Sequence, residues 1–191
     1  FEVVWGPVRA KDVPRFLKDG MKADENMRRI TFSLTERLVL TPVELSLLAK
    51  PLIGVLAAVF LVSGFGPGFF SFPSSWLRGL YAAYALVLGI FSGAVVMPLL
   101  LPWIPGRSFS LKGGIIGLIF TLFLPDGLSV IELSALMLVV IAASSYLAMN
   151  FTGSTPFTSP SGVEKEMRIA IPLQAVSLLG AAILWVLTPF V

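Results

Sequence analysis

From residue 45 onward the chain is a succession of long apolar runs separated by prolines, glycines and helix-start signals, whereas the first 44 residues interleave charged and apolar positions. About 20 consecutive apolar residues make a helix of about 30 Å, enough to cross the hydrocarbon core of a bilayer. On that scale spans are expected near residues 45–64, 77–101, 110–124, 130–151 and 167–187. The third is the weak one, because about 15 residues reach only about 22 Å. It suits a short span or a re-entrant segment, and a short span is favoured.

Local signals set the ends of these runs. Four segments match the capping box, in which a hydroxyl accepts from a free backbone N–H and Glu reaches back three residues. They begin at Ser33, Thr41, Ser129 and Ser161, with Glu36, Glu44, Glu132 and Glu164 in third place. Two helices are therefore expected in succession, a juxtamembrane one over 33–44 and then the first span, with Pro42 at its first position. Trp76, Trp103 and Trp185 fall at span ends, where an indole prefers the headgroup layer. Gly89 and Gly93, like Gly113 and Gly117, are four apart and would let helices approach closely. Glycine is common in membrane helices, and that explanation carries more weight on sequence alone.

The head has a different character. Residues 1–5 form a β-branched and aromatic run stopped by Gly6-Pro7, which predicts a strand and a turn. A helix capped by Asp12 should follow, with Val13, Phe16 and Leu17 as its apolar stripe and Gly20 at its C-cap. One strand and one helix cannot fold alone, so residues 1–32 read as the last βα unit of an α/β domain whose earlier strands precede this chain. The expected class is thus an all-α integral membrane protein, a five-helix bundle preceded by the end of a Rossmann-like domain.

Composition sharpens this picture. With 56% apolar and 13% charged residues, one soluble core cannot hide the apolar surface. Of 25 charged residues, 14 lie in the first 42 positions. The net charge of +3 comes without a polybasic block and points to no nucleic-acid partner. No cysteine or histidine is present, which removes disulfides, thiolate or imidazole metal sites and His-dependent nucleophiles from this stretch. If the head is cytoplasmic, Arg107, Lys112, Lys165 and Arg168 fall inside and only Arg78 outside, with Val191 outside. That orientation belongs to the inner membrane of a cell, with a multi-pass chain in contact with lipid.

Few residues suggest chemistry. Lys50 and Arg78 are placed near span ends where both can snorkel, Asp126 sits in a Pro-Asp-Gly turn, and no ionisable group is expected deep in the bilayer. The unusual polar stretch is 150–162. Its hydroxyls at Thr152, Ser154, Thr155, Thr158, Ser159 and Ser161 precede a helix start, which suits either anion binding, docking of a soluble domain, or a plain capped loop. Asn150-Phe151-Thr152 matches a glycosylation acceptor that would be silent on an inner face.

Two runs carry a resemblance. Residues 4–23, from Val4-Trp5-Gly6-Pro7-Val8-Arg9-Ala10 to Lys22-Ala23, with Met27-Arg28-Arg29, resemble the end of the corrinoid-binding domain in the mercury-methylating corrinoid protein family, HgcA. Residues 150–168, with Phe151-Thr152-Gly153-Ser154 and Ser161-Gly162-Val163-Glu164-Lys165-Glu166-Met167-Arg168, resemble its last cytoplasmic loop. The resemblance implies a membrane-held methyltransferase that passes a methyl group from a cobalt corrinoid to inorganic Hg(II), giving methylmercury. It further implies a methyl donor for cobalt and a ferredoxin-like partner with two [4Fe-4S] clusters. The family's cobalt-ligating cysteine has no counterpart here, so no catalytic residue transfers. The turn Gly6, Pro7, Val8, Arg9, Ala10 is the candidate corrinoid contact, beside an equally good reading as a tight turn. Two other readings remain open: a small-molecule or metal-ion transporter subunit, and a simple membrane anchor for an α/β enzyme.

Overall fold

The computed structural model describes residues 3–29, 33–154 and 159–191. It divides into two compact units, residues 1–33 and 34–191.

In the first unit a 3-10 turn, Ala10–Asp12, leads into helix α1, Val13–Lys18, and a short helix α2 covers Glu25–Arg28. The chain folds back on itself: Val8 N donates to Met27 O at 2.9 Å and Met21 N to Phe16 O at 2.9 Å, with Phe16 and Met27 buried. The predicted strand does not form at Val3, Val4 or Trp5, which are exposed and have no strand partner among the described residues, while residues 1–2 of the same prediction lie outside them. A strand needs a neighbour to take its backbone hydrogen bonds, and among the described residues of this unit there is none. The expected helix does form, although Asp12 makes no side-chain cap because the 3-10 turn already feeds the helix from Arg9. Gly20 ends the segment at φ 67°. Arg15 bridges Asp24 at 2.9 Å and Asp19 at 3.5 Å, exposed pairs that contribute little.

The second unit is helical, with four helices long and apolar enough to cross a membrane and a fifth, shorter apolar helix. Helix α3 runs Leu34–Ser63 without interruption. The two helices expected over 33–64 are therefore one. Thr41 is buried inside it instead of capping a new helix, and Pro42 and Pro51 are accommodated within the run. A two-residue hairpin, β1 Phe65–Gly66 against β2 Phe69–Phe70, turns the chain, pairing Phe65 with Phe70 and Gly66 with Phe69. Helix α4, Phe72–Phe91, continues through a π-helical turn, Ser92–Val96, into α5, Met97–Leu100. The wide turn lies just before Pro98, which has no N–H to donate and whose ring would crowd a regular turn.

Helix α6, Phe109–Phe120, and the 3-10 turn Thr121–Phe123 form the short element, and α7 spans Val130–Asn150 behind the expected Ser129–Glu132 capping box. Gly127 holds the turn before it at φ 85°. The last helix, α8, runs Pro160–Leu187 and starts two residues earlier than the sequence suggests. Ser159 is its cap, accepting from Gly162 N, so the box at Ser161 is not made. Glu164 pairs instead with Arg168 at 2.8 Å.

Helix α7 is the centre. On one side Gly89 and Gly93 of the α4 run, and on the other Gly113 and Gly117 of α6, lie against it; a Cβ on Gly89 would come 2.7 Å from Ala143 Cβ and one on Gly117 2.8 Å from Ser144 Cβ. Both glycine pairs are thus used for close packing, the reading that composition alone made the lesser one. Ser144, fully buried between them, donates to Gly113 O at 2.7 Å.

Candidate functional site

Several charged side chains of the helical unit sit at helix ends, whereas Glu44 and Lys50 fall inside α3, Lys50 near its middle and not near a span end as expected. At the end of the bundle where α3, α6 and α8 begin, Arg37 is buried and donates through Nη1 to Pro98 O at 3.0 Å and Leu99 O at 2.9 Å. Lys112 Nζ donates to Leu101 O at 3.0 Å, so two cations satisfy the carbonyls left over where α5 stops. Glu166 Oε1 accepts from Ser110 N at 2.6 Å, placing a carboxylate on the first turn of α6, where the helix dipole favours negative charge.

At the opposite end Arg78 does the same for two helices at once. Nη1 donates to Ser63 O at 3.2 Å and Phe65 O at 3.5 Å, while Nη2 donates to Thr188 Oγ1 at 2.6 Å and to Trp185 O. Its guanidinium carbon lies 4.7 Å from the centre of the Trp185 ring, a cation–π contact. Trp185 in turn is buried and donates Nε1–H to Ser63 Oγ at 2.9 Å. Arg78 is therefore a fixed cross-link and not a snorkelling side chain, and Trp185 is its partner and not a headgroup anchor. Trp76 and Trp103 are exposed, as membrane-interface residues should be.

Between α6, α7 and α8 lies a cavity of about 500 Å³. Its polar lining comprises Ser108, Ser110, Ser145, Glu166, Gln174 and Ser177; the rest is aliphatic, with no lysine or arginine. Gln174 is only 6% exposed and donates Nε2–H to Ser145 Oγ at 2.9 Å, but its Oε1 is buried without a hydrogen-bond partner. A second cavity of about 290 Å³, between α3, α4, α7 and α8, is lined by apolar side chains only and gives no directional contact.

The sequence candidates fall elsewhere. Of the turn Gly6, Pro7, Val8, Arg9, Ala10, Val8 is tied to Met27 through its N–H, Arg9 caps the 3-10 turn through its carbonyl, and Gly6 packs beside Phe16. In the polar stretch, Thr152 is buried and donates to Met149 O at 2.6 Å, closing α7. Ser159 caps α8 and its hydroxyl lies 3.2 Å from that of Ser161. Ser154 ends the 3-10 turn Phe151–Ser154; its side chain, and Thr155 and Thr158, lie outside the described residues. Of these hydroxyls, those of Thr152 and Ser159 shape helix ends. Glu166 and Gln174, which do share a cavity, were missed. The signal was present as an i, i+4, i+8 row of Glu166, Ala170 and Gln174 on one face of α8, hidden by the apolar residues around it.

Among the described residues no group of three or more His, Cys, Asp or Glu stands ready to hold a metal ion. Comparison with protein families, with curated proteins and with solved structures gives no match.

Proposed function

We propose that this chain is the membrane portion of a corrinoid-dependent methyltransferase that acts on inorganic Hg(II), with residues 1–32 as the end of its corrinoid-binding domain. The carrying observation is the wording of residues 4–29 and 150–168, in a chain whose apolar helices suit a membrane-held enzyme. The reading takes α6 as a fifth, short crossing. It sets the end bearing Arg37, Lys112 and the 150–162 stretch toward the cytoplasm, in keeping with the excess of Arg and Lys there.

A corrinoid supplies a cobalt atom that can carry a methyl group. The residues present here do not fit a cobalt ligand: there is no thiol or imidazole, and Gly6–Ala10 offers backbone, aliphatic groups and one guanidinium. On this reading the ligand belongs to polypeptide outside these 191 residues, and the role of this chain is to hold and orient that domain at the membrane, near the ferredoxin-like partner that restores the cobalt. Cobalt content decides the matter. The polypeptide as its host makes it, purified without oxygen, is expected to contain about one cobalt per chain; an intact, folded preparation without cobalt removes the proposal.

The cavity between α6, α7 and α8 supports a second reading, a small-molecule carrier. Accumulation of solute by vesicles bearing this chain alone favours it, and activity kept after exchange of residues 34–191 for an unrelated anchor favours simple tethering.

A further inference from the structure

We infer that the outer face of α3 is an interface between two copies of this chain, set side by side in the membrane, with Glu44 of each copy ion-paired to Lys50 of the other.

The depth of Lys50 is the starting point. Phe60 of α3 stacks on the exposed Trp76, ring centres 5.6 Å apart, which marks one membrane surface. Arg37 bonds Pro98 O and Leu99 O just before the exposed Trp103, which marks the other. The stretch of α3 between these levels is about 34 Å long, close to the thickness of the hydrocarbon core. Lys50 lies within it, about 15 Å from Phe60 and about 20 Å from Arg37. A lysine stem reaches about 6 Å, short of either surface. Lys50 is exposed and stands about 180° around the helix from the buried Thr41, so it points away from the bundle. It makes no ion pair among the described residues. A lone ammonium at that depth is costly, and an opposite charge beside it relieves the cost.

That opposite charge is on the same helix. Glu44 is half-buried, also forms no ion pair among the described residues, and keeps its carboxylate oxygens at the surface. Within one chain the two cannot meet. They are about 120° apart around the helix and about 9 Å apart along it, outside the three- and four-residue spacings that join side chains. Between two copies they can. Leu47, 69% exposed, lies midway between them around the helix, and its face continues through the exposed Gly54, where an added Cβ meets nothing within 4 Å. A two-fold axis along the membrane normal places the Glu44 flank of each copy against the Lys50 flank of the other. The lysine stem leans toward the helix start, as helix side chains do, and covers most of the rise. An acid and a base on opposite sides of an apolar centre make the face complementary to itself. Lipid phosphate, by contrast, lies at the surface beyond the reach of Lys50 and offers Glu44 nothing.

The chain has no cysteine, so an introduced one reports proximity without background. In phosphatidylcholine vesicles at high lipid dilution, the whole chain carrying Leu47→Cys is expected to form a covalent dimer on mild oxidation. Leu173→Cys, exposed on α8, is expected to form none. Glu44→Lys or Lys50→Glu, added to the Leu47→Cys chain, should each cut the crosslinked fraction about tenfold, because like charges then face each other. Mixed together, these two variants should crosslink to one another at the parent level, since every facing pair is again of opposite sign. Both are used as preparations that unfold like the parent chain in mixed micelles. Gly54→Phe gives a check that leaves the charges alone: it should remove the crosslink by holding the two helices apart. No crosslink through Leu47→Cys, equal crosslinking through Leu173→Cys, single charge exchanges without effect, or a mixture that stays apart would each overturn the inference. A preparation without cobalt serves equally well, so the outcome is independent of methyl transfer.

Discussion

The first and second halves of α8 meet the rest of the bundle in opposite ways. Near Trp185 and Thr188 most polar groups are matched: one guanidinium serves carbonyls from two helix ends, one indole covers it, and one serine takes the indole proton, while Arg78 Nε is buried without a hydrogen-bond partner. Around Glu166 and Gln174 the helix lines a cavity, and the buried Gln174 Oε1 has no hydrogen-bond partner among the described residues. Sequence similarity between these regions is slight, but both contain a polar side chain facing apolar neighbours. The difference lies in whether the neighbouring backbone offers a match. Carbonyls at the ends of α3 and α8 suit an arginine fork. Facing Gln174, the regular turns of α6 and α7 have already spent their backbone groups, and a side-chain hydroxyl is all that remains.

If the closed end is what holds the bundle, Arg78→Met should be the most damaging change, lowering stability by about 3 kcal/mol through loss of charged hydrogen bonds to carbonyls that stay buried. Unfolding in mixed micelles reads this, and Arg78→Lys should recover less than half, because one ammonium cannot span both helix ends. A loss under about 1 kcal/mol would erase the contrast. Gly113→Val comes next, with about 2 kcal/mol expected from forcing α6 away from Ser144 and Ala148; the same unfolding assay reads it. Arg37→Met should cost about 1.5 kcal/mol, since Lys112 still serves the neighbouring carbonyl at Leu101. At the open end the sign reverses. Gln174→Leu, in the absence of any ligand, should leave stability unchanged or raise it by about 1 kcal/mol, because an unmatched acceptor is removed. Thr41→Val should behave likewise and more weakly, its hydroxyl oxygen also being buried without a partner. A clear loss of stability in Gln174→Leu would show that the cavity end is closed in the membrane too.

Apolar run length pointed to the four long apolar helices, and the Ser129–Glu132 cap was readable to the residue. Where the reading failed, a local signal competed with a tertiary one. Thr41-Pro42-Val43-Glu44 has the letters of a helix start, but proline also fits inside α3, where the helix runs on through it. Ser159 and Ser161 both qualify as a cap, and only the backbone conformation at Ser159 selects between them. The strand predicted over 1–5 depended on neighbours, and at 3–5 none is present among the described residues. The candidate cavity was less legible still. Glu166 was part of a quoted motif but had no assigned role, and Gln174 looked like one polar residue in an apolar helix. Their joint position follows from how α8 crosses α6 and α7, which no spacing in one helix encodes.

Arg78 is separated in sequence from Trp185 and Thr188 by 107 and 110 positions. During synthesis Arg78 is therefore made before α6, α7 and α8, and before two of the acceptors it uses in the finished fold. Until then a charge sits exposed at the tip of an incomplete bundle, a mark that distinguishes a half-made chain from a finished one. A chain cut short before residue 185 lacks both of these acceptors and never completes that contact.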